Sequence, residues 1–183
     1  MHGGVFIDAQ SSSLPIDVKK IAEVSGVHLV RDSDAKILKK AYGRIYHNGQ
    51  SWIIVYDDSL PCEMSRYIIA HELGHIFLQH QITKKKYTSM GDNVFDEKTS
   101  ERYADYFAER LLCPACVLWA LKLDTPRKIT ELCLVEQEVA ERRLKRLTEL
   151  KKRGKFLTDP LEREVYEKFL PFIRSVKNNE YDF

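Results

Sequence analysis

The segment "YIIAHELGHIFL" places two histidines and a glutamate in a run that is otherwise apolar. On a helix, positions i and i+4 lie on the same face, so His71 and His75 can present two imidazole nitrogens to one metal ion. Glu72 lies about 100° further round the helix, where it can reach a water molecule on that ion without binding the ion itself. Zinc lowers the pKa of its bound water, and a nearby glutamate can take the released proton. The spacing therefore indicates metal-assisted hydrolysis with Glu72 as general base.

Burial of this helix strengthens the interpretation. Ionisable side chains on a buried helix each cost several kcal/mol of folding free energy unless they are paired. A metal ion would satisfy His71, Glu72 and His75 together. The HExxH pattern alone is not specific, but the pattern within an apolar helix favours a metal site.

A catalytic zinc needs a third protein ligand. The extended pattern HExxHxxGxxH is excluded, because it would need a glycine at Leu78 and a histidine at Gln81. His80 has i+5 spacing from His75 and is interpreted as a helix-end residue. The other common design takes a glutamate from a second helix, and Glu101 opens "ERYAD" on the next amphipathic segment.

Asp105 lies one helical turn after Glu101 and therefore on the same side of that helix. It can accept the other ring proton of a ligating histidine, a contact that fixes the tautomer of the ligand. The small Ala104 between them leaves room for close packing against the HELGH helix. Taken alone, Glu101 is equally compatible with a solvent-facing helix position, so its assignment depends on the whole set of residues.

The surrounding elements must bring these residues together. A short helix over 16–24 and a strand at "VHLV" precede two strands that flank "HNGQ", where Asn48-Gly49 suits a tight hairpin turn. A loop is expected over 81–95, and Pro171 should stop or kink the last helix. Helical periodicity predicts the remaining helices over 62–80, 96–112, 127–150 (with a break near "CLVEQ") and 160–176.

Composition limits the class of protein. The 183 residues are 44% apolar, and 29 Lys plus Arg against 27 Asp plus Glu give a net charge of +2. That balance gives no broad case for a nucleic-acid coat or a membrane-binding protein. The N-terminus lacks the pattern of a secretory signal, so we expect a soluble cytoplasmic protein with reduced thiols. The single CxxC, Cys113 and Cys116, is too little for a zinc ribbon.

The segments "RYIIAHELGHIFLQH", "ERYADYFAERLLCP" and "ITELCLVEQEVAERRLKRL" resemble the ImmA/IrrE family of metallopeptidases, over about residues 15–147. The resemblance implies that His71, His75 and Glu101 bind Zn²⁺ and that Glu72 is the general base and acid; Asp105 comes from the geometric argument. It also implies a cytoplasmic, site-specific peptidase that cleaves a helix-turn-helix repressor of a prophage, mobile element or stress regulon. Glu136 departs from the family, which commonly has Ser there.

The expected architecture is α+β and zincin-like, with a small antiparallel or mixed sheet, a central HExxH helix and a helical C-terminal part. Residues 1–125 would form the metallopeptidase core, and residues 126–183 a helical extension packed on it or appended to it. The C-terminal helices could also act as a docking arm for the repressor.

The competing hypothesis is a non-cleaving regulatory or DNA-binding protein on the same fold. Its support is a pair of helices around a short break, with a cluster of cations on the second helix: Arg142, Arg143, Lys145, Arg146 and Lys151. We favour a helix pair with an apolar face on the core and a solvated basic face, and keep DNA binding as the alternative. Glu72 favours chemistry, because a purely structural zinc site would have a fourth protein ligand instead.

Overall fold

The structure is a computed structural model and describes residues 12–79 and 97–179. Contacts divide the chain into two compact units. The sheet unit contains Val18–Pro61 and Ser65–Ala108, and the helical unit contains Met1–Asp17, Cys62–Met64 and Glu109–Phe183. The division into residues 1–125 and 126–183 stays a prediction. The predicted loop over 81–95 and His80 lie outside the described residues.

The sheet unit contains a small mixed sheet, as the sequence predicted. Its strand order is β1-β3-β2, with β1 parallel and β2 antiparallel to β3. The elements before the HELGH helix are α1 (Val18–Val24), β1 (Val27–Arg31), α2 (Asp32–Ala35), β2 (Gly43–His47) and β3 (Trp52–Tyr56). The central strand is the most buried of the three, since Ile54 and Val55 are almost fully inaccessible to solvent. This α+β arrangement confirms the predicted fold class.

The turn between β2 and β3 differs from the two-residue turn that we expected. Within this loop only Gly49 has a positive φ, of 92°. The Asn48 amide donates to the Ser51 carbonyl at 3.2 Å, and the Asn48 side-chain oxygen accepts from the amides of Gln50 and Ser51 at 3.0 and 2.8 Å. The asparagine side chain therefore organises a four-residue loop, so a second positive φ is not needed.

Two helices supply the candidate site: α3 (Cys62–Phe77) and α4 (Glu97–Leu112). The buried face of α3 includes Ile69, Ala70, Leu73 and Gly74. A Cβ atom on Gly74 would lie 3.2 Å from both the Cα and the carbonyl oxygen of Ala104. The absence of a side chain at Gly74 and the small side chain of Ala104 thus let the two backbones approach closely.

The helical unit contains the helix, break and helix that the sequence predicted after Pro126. Its helices are α5 (Ala115–Ala120), α6 (Pro126–Cys133), α7 (Gln137–Lys152) and α8 (Pro160–Asn179). The Thr125 hydroxyl caps α6 by accepting from the Lys128 amide at 3.3 Å, and Leu134 ends it with a positive φ of 49°. Helix α5 has apolar residues on nearly every side and was not predicted from the sequence.

Two expectations about the helical unit need correction. Helix α8 does not stop at Pro171 but continues to Asn179. Phe169 and Ile173 are buried on either side of the proline and stabilise the helix against one lost hydrogen bond. Arg143 does not belong to an exposed basic cluster: it is only 4% exposed. Its guanidinium donates two hydrogen bonds to the Cys113 carbonyl, at 2.7 and 3.1 Å.

All four cysteines are free thiols in the structure. Cys113, Cys116 and Cys133 are buried, whereas Cys62 is exposed. Burial raises the pKa of the Cys116 thiol to about 11, which makes it a poor nucleophile. None of the described helices is both long and apolar enough to span a membrane.

Candidate metal centre

One face of α3 presents Tyr67, His71 and His75 at successive i+4 positions. The imidazole centroids of His71 and His75 are 4.8 Å apart, and their Nε2 atoms are 3.0 Å apart. Both side chains are largely buried, with 17% and 12% of their surface exposed. The i+4 spacing on a packed helix therefore directs two imidazole nitrogens to one point.

Glu101 reaches the same point from α4. Its Oε2 lies 3.2 Å from His71 Nε2, and its Oε1 lies 3.4 Å from His75 Nε2. One ligand atom from each of the three residues lies within 4.8 Å of the other two. The structure thus brings together the three side chains that the sequence analysis selected from two different helices.

These distances fit a tetrahedral metal site. Zinc binds imidazole nitrogen at about 2.0–2.1 Å, so ligand atoms at the corners of a tetrahedron lie about 3.3 Å apart. Here the two Nε2 atoms are 3.0 Å apart, Glu101 Oε2 lies 3.2 Å from His71 Nε2, and Glu101 Oε1 lies 3.4 Å from His75 Nε2. Two imidazoles and one carboxylate are also a donor set that suits zinc. Both the spacing and the chemistry of the donors fit a zinc ion.

Asp105 contacts the opposite nitrogen of His71. Its Oδ1 lies 2.9 Å from His71 Nδ1, and the same oxygen accepts a hydrogen bond from the Tyr67 hydroxyl at 3.0 Å. A proton on Nδ1 that is donated to Asp105 leaves the lone pair of Nε2 directed towards His75 and Glu101. Asp105 therefore lies where the geometric argument placed it.

The pKa of His71 reflects opposing effects. Burial alone would lower it, but the hydrogen bond to Asp105 and the negative charges of Glu72, Asp105 and Glu101 outweigh burial and raise the pKa above its usual value. A surplus of negative charge around an imidazole favours any cation at this position, whether a proton or a metal ion.

Glu72 lies beside the three side chains and faces the start of β2. Burial raises the pKa of its carboxyl to about 7; the charge of Glu101 adds to this rise, while His71 and Arg44 oppose it. A Cβ atom on Gly43 would lie 2.8 Å from Glu72 Oε1 and 2.5 Å from Ile68 Cγ2. Because Gly43 has no side chain, the Glu72 carboxyl can occupy this space.

Two residues of this site were missed by sequence reasoning. Tyr67 was counted among the apolar residues of α3, although its i−4 position relative to His71 places it on the histidine face. That spacing was a signal that could have identified it. Gly43 carried no such signal, because its role depends on how β2 passes α3.

Comparison with known protein families gives one match. The sequence profile of the Peptidase M78 family, described as the IrrE N-terminal-like domain, matches residues 22–145. The matched range covers more than half of the chain and contains every residue of the candidate metal centre. No curated protein matches the chain.

Proposed function

The chain belongs to the ImmA/IrrE family of metallopeptidases, and we propose that it is a zinc-dependent endopeptidase that cleaves one protein at a specific site. One observation carries this proposal. Two imidazole nitrogens and one carboxylate, from His71, His75 and Glu101, converge within 4.8 Å, next to a fourth ionisable side chain, Glu72.

In this proposal His71, His75 and Glu101 hold the ion, and Asp105 orients His71. Three protein ligands leave one tetrahedral position for a substrate or a water molecule, which is typical of catalytic rather than structural zinc sites. A zinc ion bound here would supply Lewis acidity towards a carbonyl oxygen and a water molecule.

Glu72 is the proposed general base and acid. Its carboxyl takes a proton from the attacking water and returns it to the nitrogen of the leaving amine. The buried position raises its pKa to about 7, which suits a group that must both accept and donate a proton. A cation on the neighbouring ligands would favour the carboxylate form, which is the form that accepts the proton first.

The substrate would bind as an extended segment along the sheet. Strand β2 pairs with β3 on one side and has no partner strand on the other among the described residues. Its first residue, Gly43, lies against Glu72. Main-chain pairing with β2 would therefore place a peptide bond of the substrate beside the general base.

The proposed substrate is a helix-turn-helix repressor of a prophage, mobile element or stress regulon, cleaved in the cytoplasm. This identity rests on the family resemblance, and the C-terminal helices are proposed as its docking arm. The DNA-binding alternative is weakened by the contacts of its cations. Arg143 is buried, Arg142 is paired with Glu109, and Arg146 is paired with Glu149 at 3.1 Å.

The test is metal content per chain together with cleavage of the repressor encoded beside the gene. Glu101→Ala should lose the metal, and Glu72→Gln should keep the metal but stop cleaving. Glu167→Ala, on the exposed surface of α8, is the matched control and should behave as the wild type. Wild-type protein that binds no zinc, or Glu72→Gln protein that cleaves normally, would contradict the proposal.

A further inference from the structure

The structure assigns a positioning role to Tyr67: we propose that its hydroxyl holds the Asp105 carboxylate in the orientation that fixes the His71 imidazole. Tyr67 is thus linked through Asp105 to His71, a proposed metal ligand. This inference rests on the proposed metal centre and extends it by one residue.

The geometry of the contact supports this role. Asp105 Oδ1 accepts from the Tyr67 hydroxyl at 3.0 Å and lies 2.9 Å from His71 Nδ1, so both partners share a single carboxylate oxygen. Tyr67 and His71 are four residues apart on α3, and their ring centroids are 6.5 Å apart. The geometry of α3 therefore sets the separation of the Tyr67 hydroxyl and His71 Nδ1, which both contact Asp105 Oδ1.

Burial alone does not fix the orientation of the Asp105 carboxylate, so its contacts must do so. Its side chain is 48% exposed, whereas the His71 side chain is 17% exposed. Water competes for a carboxylate with this exposure, and free rotation would carry Oδ1 away from His71. Tyrosine has a rigid side chain with few rotamers, so its hydroxyl restrains the carboxylate at a small cost in conformational entropy.

The chemical type of the donor also matters. A phenol is neutral and keeps its proton near neutral pH, so it donates to Asp105 without cancelling the charge of the carboxylate. The charged carboxylate continues to favour a proton on His71 Nδ1. That tautomer leaves the Nε2 lone pair available to a metal ion.

The test is the zinc dissociation constant of Tyr67→Phe, which removes only the hydroxyl. Contacts of this outer kind typically change metal affinity by 10–100-fold, and we expect about three- to tenfold weaker binding because Tyr67 acts through Asp105. Zinc affinity is measured by competition with a chromophoric chelator. The visible spectrum of the cobalt-substituted protein reports on ligand geometry, and we expect it to change in this variant.

Two controls separate positioning from a purely structural tie between α3 and α4. Tyr166→Phe makes the same substitution in α8 and should leave zinc affinity unchanged. In the Asp105→Ala background, Tyr67→Phe should cause no further loss, since the two residues act through one contact. A structural tie would instead lower the unfolding temperature of the metal-free protein and leave the zinc affinity unchanged.

Each outcome decides a different point. If Glu101→Ala loses zinc but Tyr67→Phe binds it as the wild type does, the role of Tyr67 is wrong and the metal centre stands. Equal losses from Tyr67→Phe in the wild-type and Asp105→Ala backgrounds would likewise overturn the role. A wild-type protein that binds no zinc would overturn both the metal centre and the inference.

Discussion

The side chain of Glu72 occupies a space that another residue leaves empty. Gly43, the first residue of β2, would bring a Cβ atom within 2.8 Å of Glu72 Oε1 if it were any other amino acid. The three atoms nearest to such a Cβ atom belong to Ile68 and Glu72, and none belongs to a proposed metal ligand. The position of the proposed general base should therefore be open to perturbation without loss of the proposed metal centre.

Gly43→Ala should lower kcat while the protein still binds one zinc ion. The added methyl group displaces the Glu72 carboxyl, and a displacement of about 1 Å can reduce the rate by about 100-fold. The measurement compares cleavage rate and metal content in the same preparation. Gly49→Ala adds a methyl group that meets no neighbour but strains a backbone with a φ of 92°, so it tests whether destabilising the β2–β3 hairpin alone lowers the rate. Metal loss in Gly43→Ala would contradict this separation.

The raised pKa of His71 predicts how zinc affinity depends on pH. A proton and a metal ion compete for Nε2, so affinity is full above the pKa and falls as the pH drops through it. Because the pKa of His71 lies above its usual value, the fall should begin at a higher pH than for an ordinary histidine. At pH values below the pKa of His71, competition from one proton lowers the zinc affinity about tenfold for each unit of pH.

The control for this pH dependence is Asp105→Asn. Removing the negative charge of Asp105, which raises the pKa of His71, should move the fall in zinc affinity to lower pH. Titration of zinc binding between acidic and neutral pH measures both proteins. An identical pH midpoint in the two proteins would show that Asp105 does not set the protonation of His71.

At the scale of elements, α4 both supplies Glu101 and ends at a contact with a buried cation. Helix α4 ends at Leu112, and the carbonyl of the next residue, Cys113, accepts two hydrogen bonds from Arg143 on α7. Helix C-termini leave carbonyl groups without partners in the helix, and a cation also interacts favourably with the helix dipole. In the sequence, Arg143 resembles part of a DNA-binding face. In the structure, it donates hydrogen bonds to the carbonyl that follows the last residue of α4.

Arg143→Ala should lower the free energy of unfolding by about 1–3 kcal/mol, because it leaves the buried Cys113 carbonyl without its charged donor. Denaturant unfolding measures this change. Arg163→Ala, at an exposed position on α8, should leave the stability within about 0.5 kcal/mol of the wild type. A loss of that small size for Arg143→Ala would mean that water replaces the guanidinium at this carbonyl.

Features determined by local sequence patterns could be predicted from the sequence, whereas features determined by tertiary contacts could not. The approach of His71, His75 and Glu101 follows from i+4 spacing and from a second amphipathic helix, which are local patterns. Helix α8 continues past Pro171 because the residues around the proline are buried by tertiary contacts. No local sequence pattern predicts such burial. Helix α5 has apolar residues on nearly every side, so it carries no helical period to detect.

At the scale of the whole molecule, all the residues proposed for the chemistry lie in the sheet unit. His71, Glu72, His75, Glu101 and Asp105 all fall within Ser65–Ala108, and the neighbouring Gly43 falls within Val18–Pro61. The helical unit contains Glu109–Phe183 and has its own buried core, which includes Ile129, Val139, Leu147 and Phe169. Metal binding should therefore stabilise the two units to different extents.

Hydrogen exchange with and without zinc measures this difference. A ligand that binds only the folded site stabilises it by about 2.7 kcal/mol when its free concentration is 100 times the dissociation constant. We expect the slowing of exchange to be largest in α3, α4 and β2, because α3 and α4 carry the proposed ligands and Gly43 of β2 lies against Glu72. Smaller changes are expected in α6, α7 and α8. Glu101→Ala should show no zinc effect in any segment, and slowing confined to the helical unit in the wild type would place the zinc somewhere other than His71, His75 and Glu101.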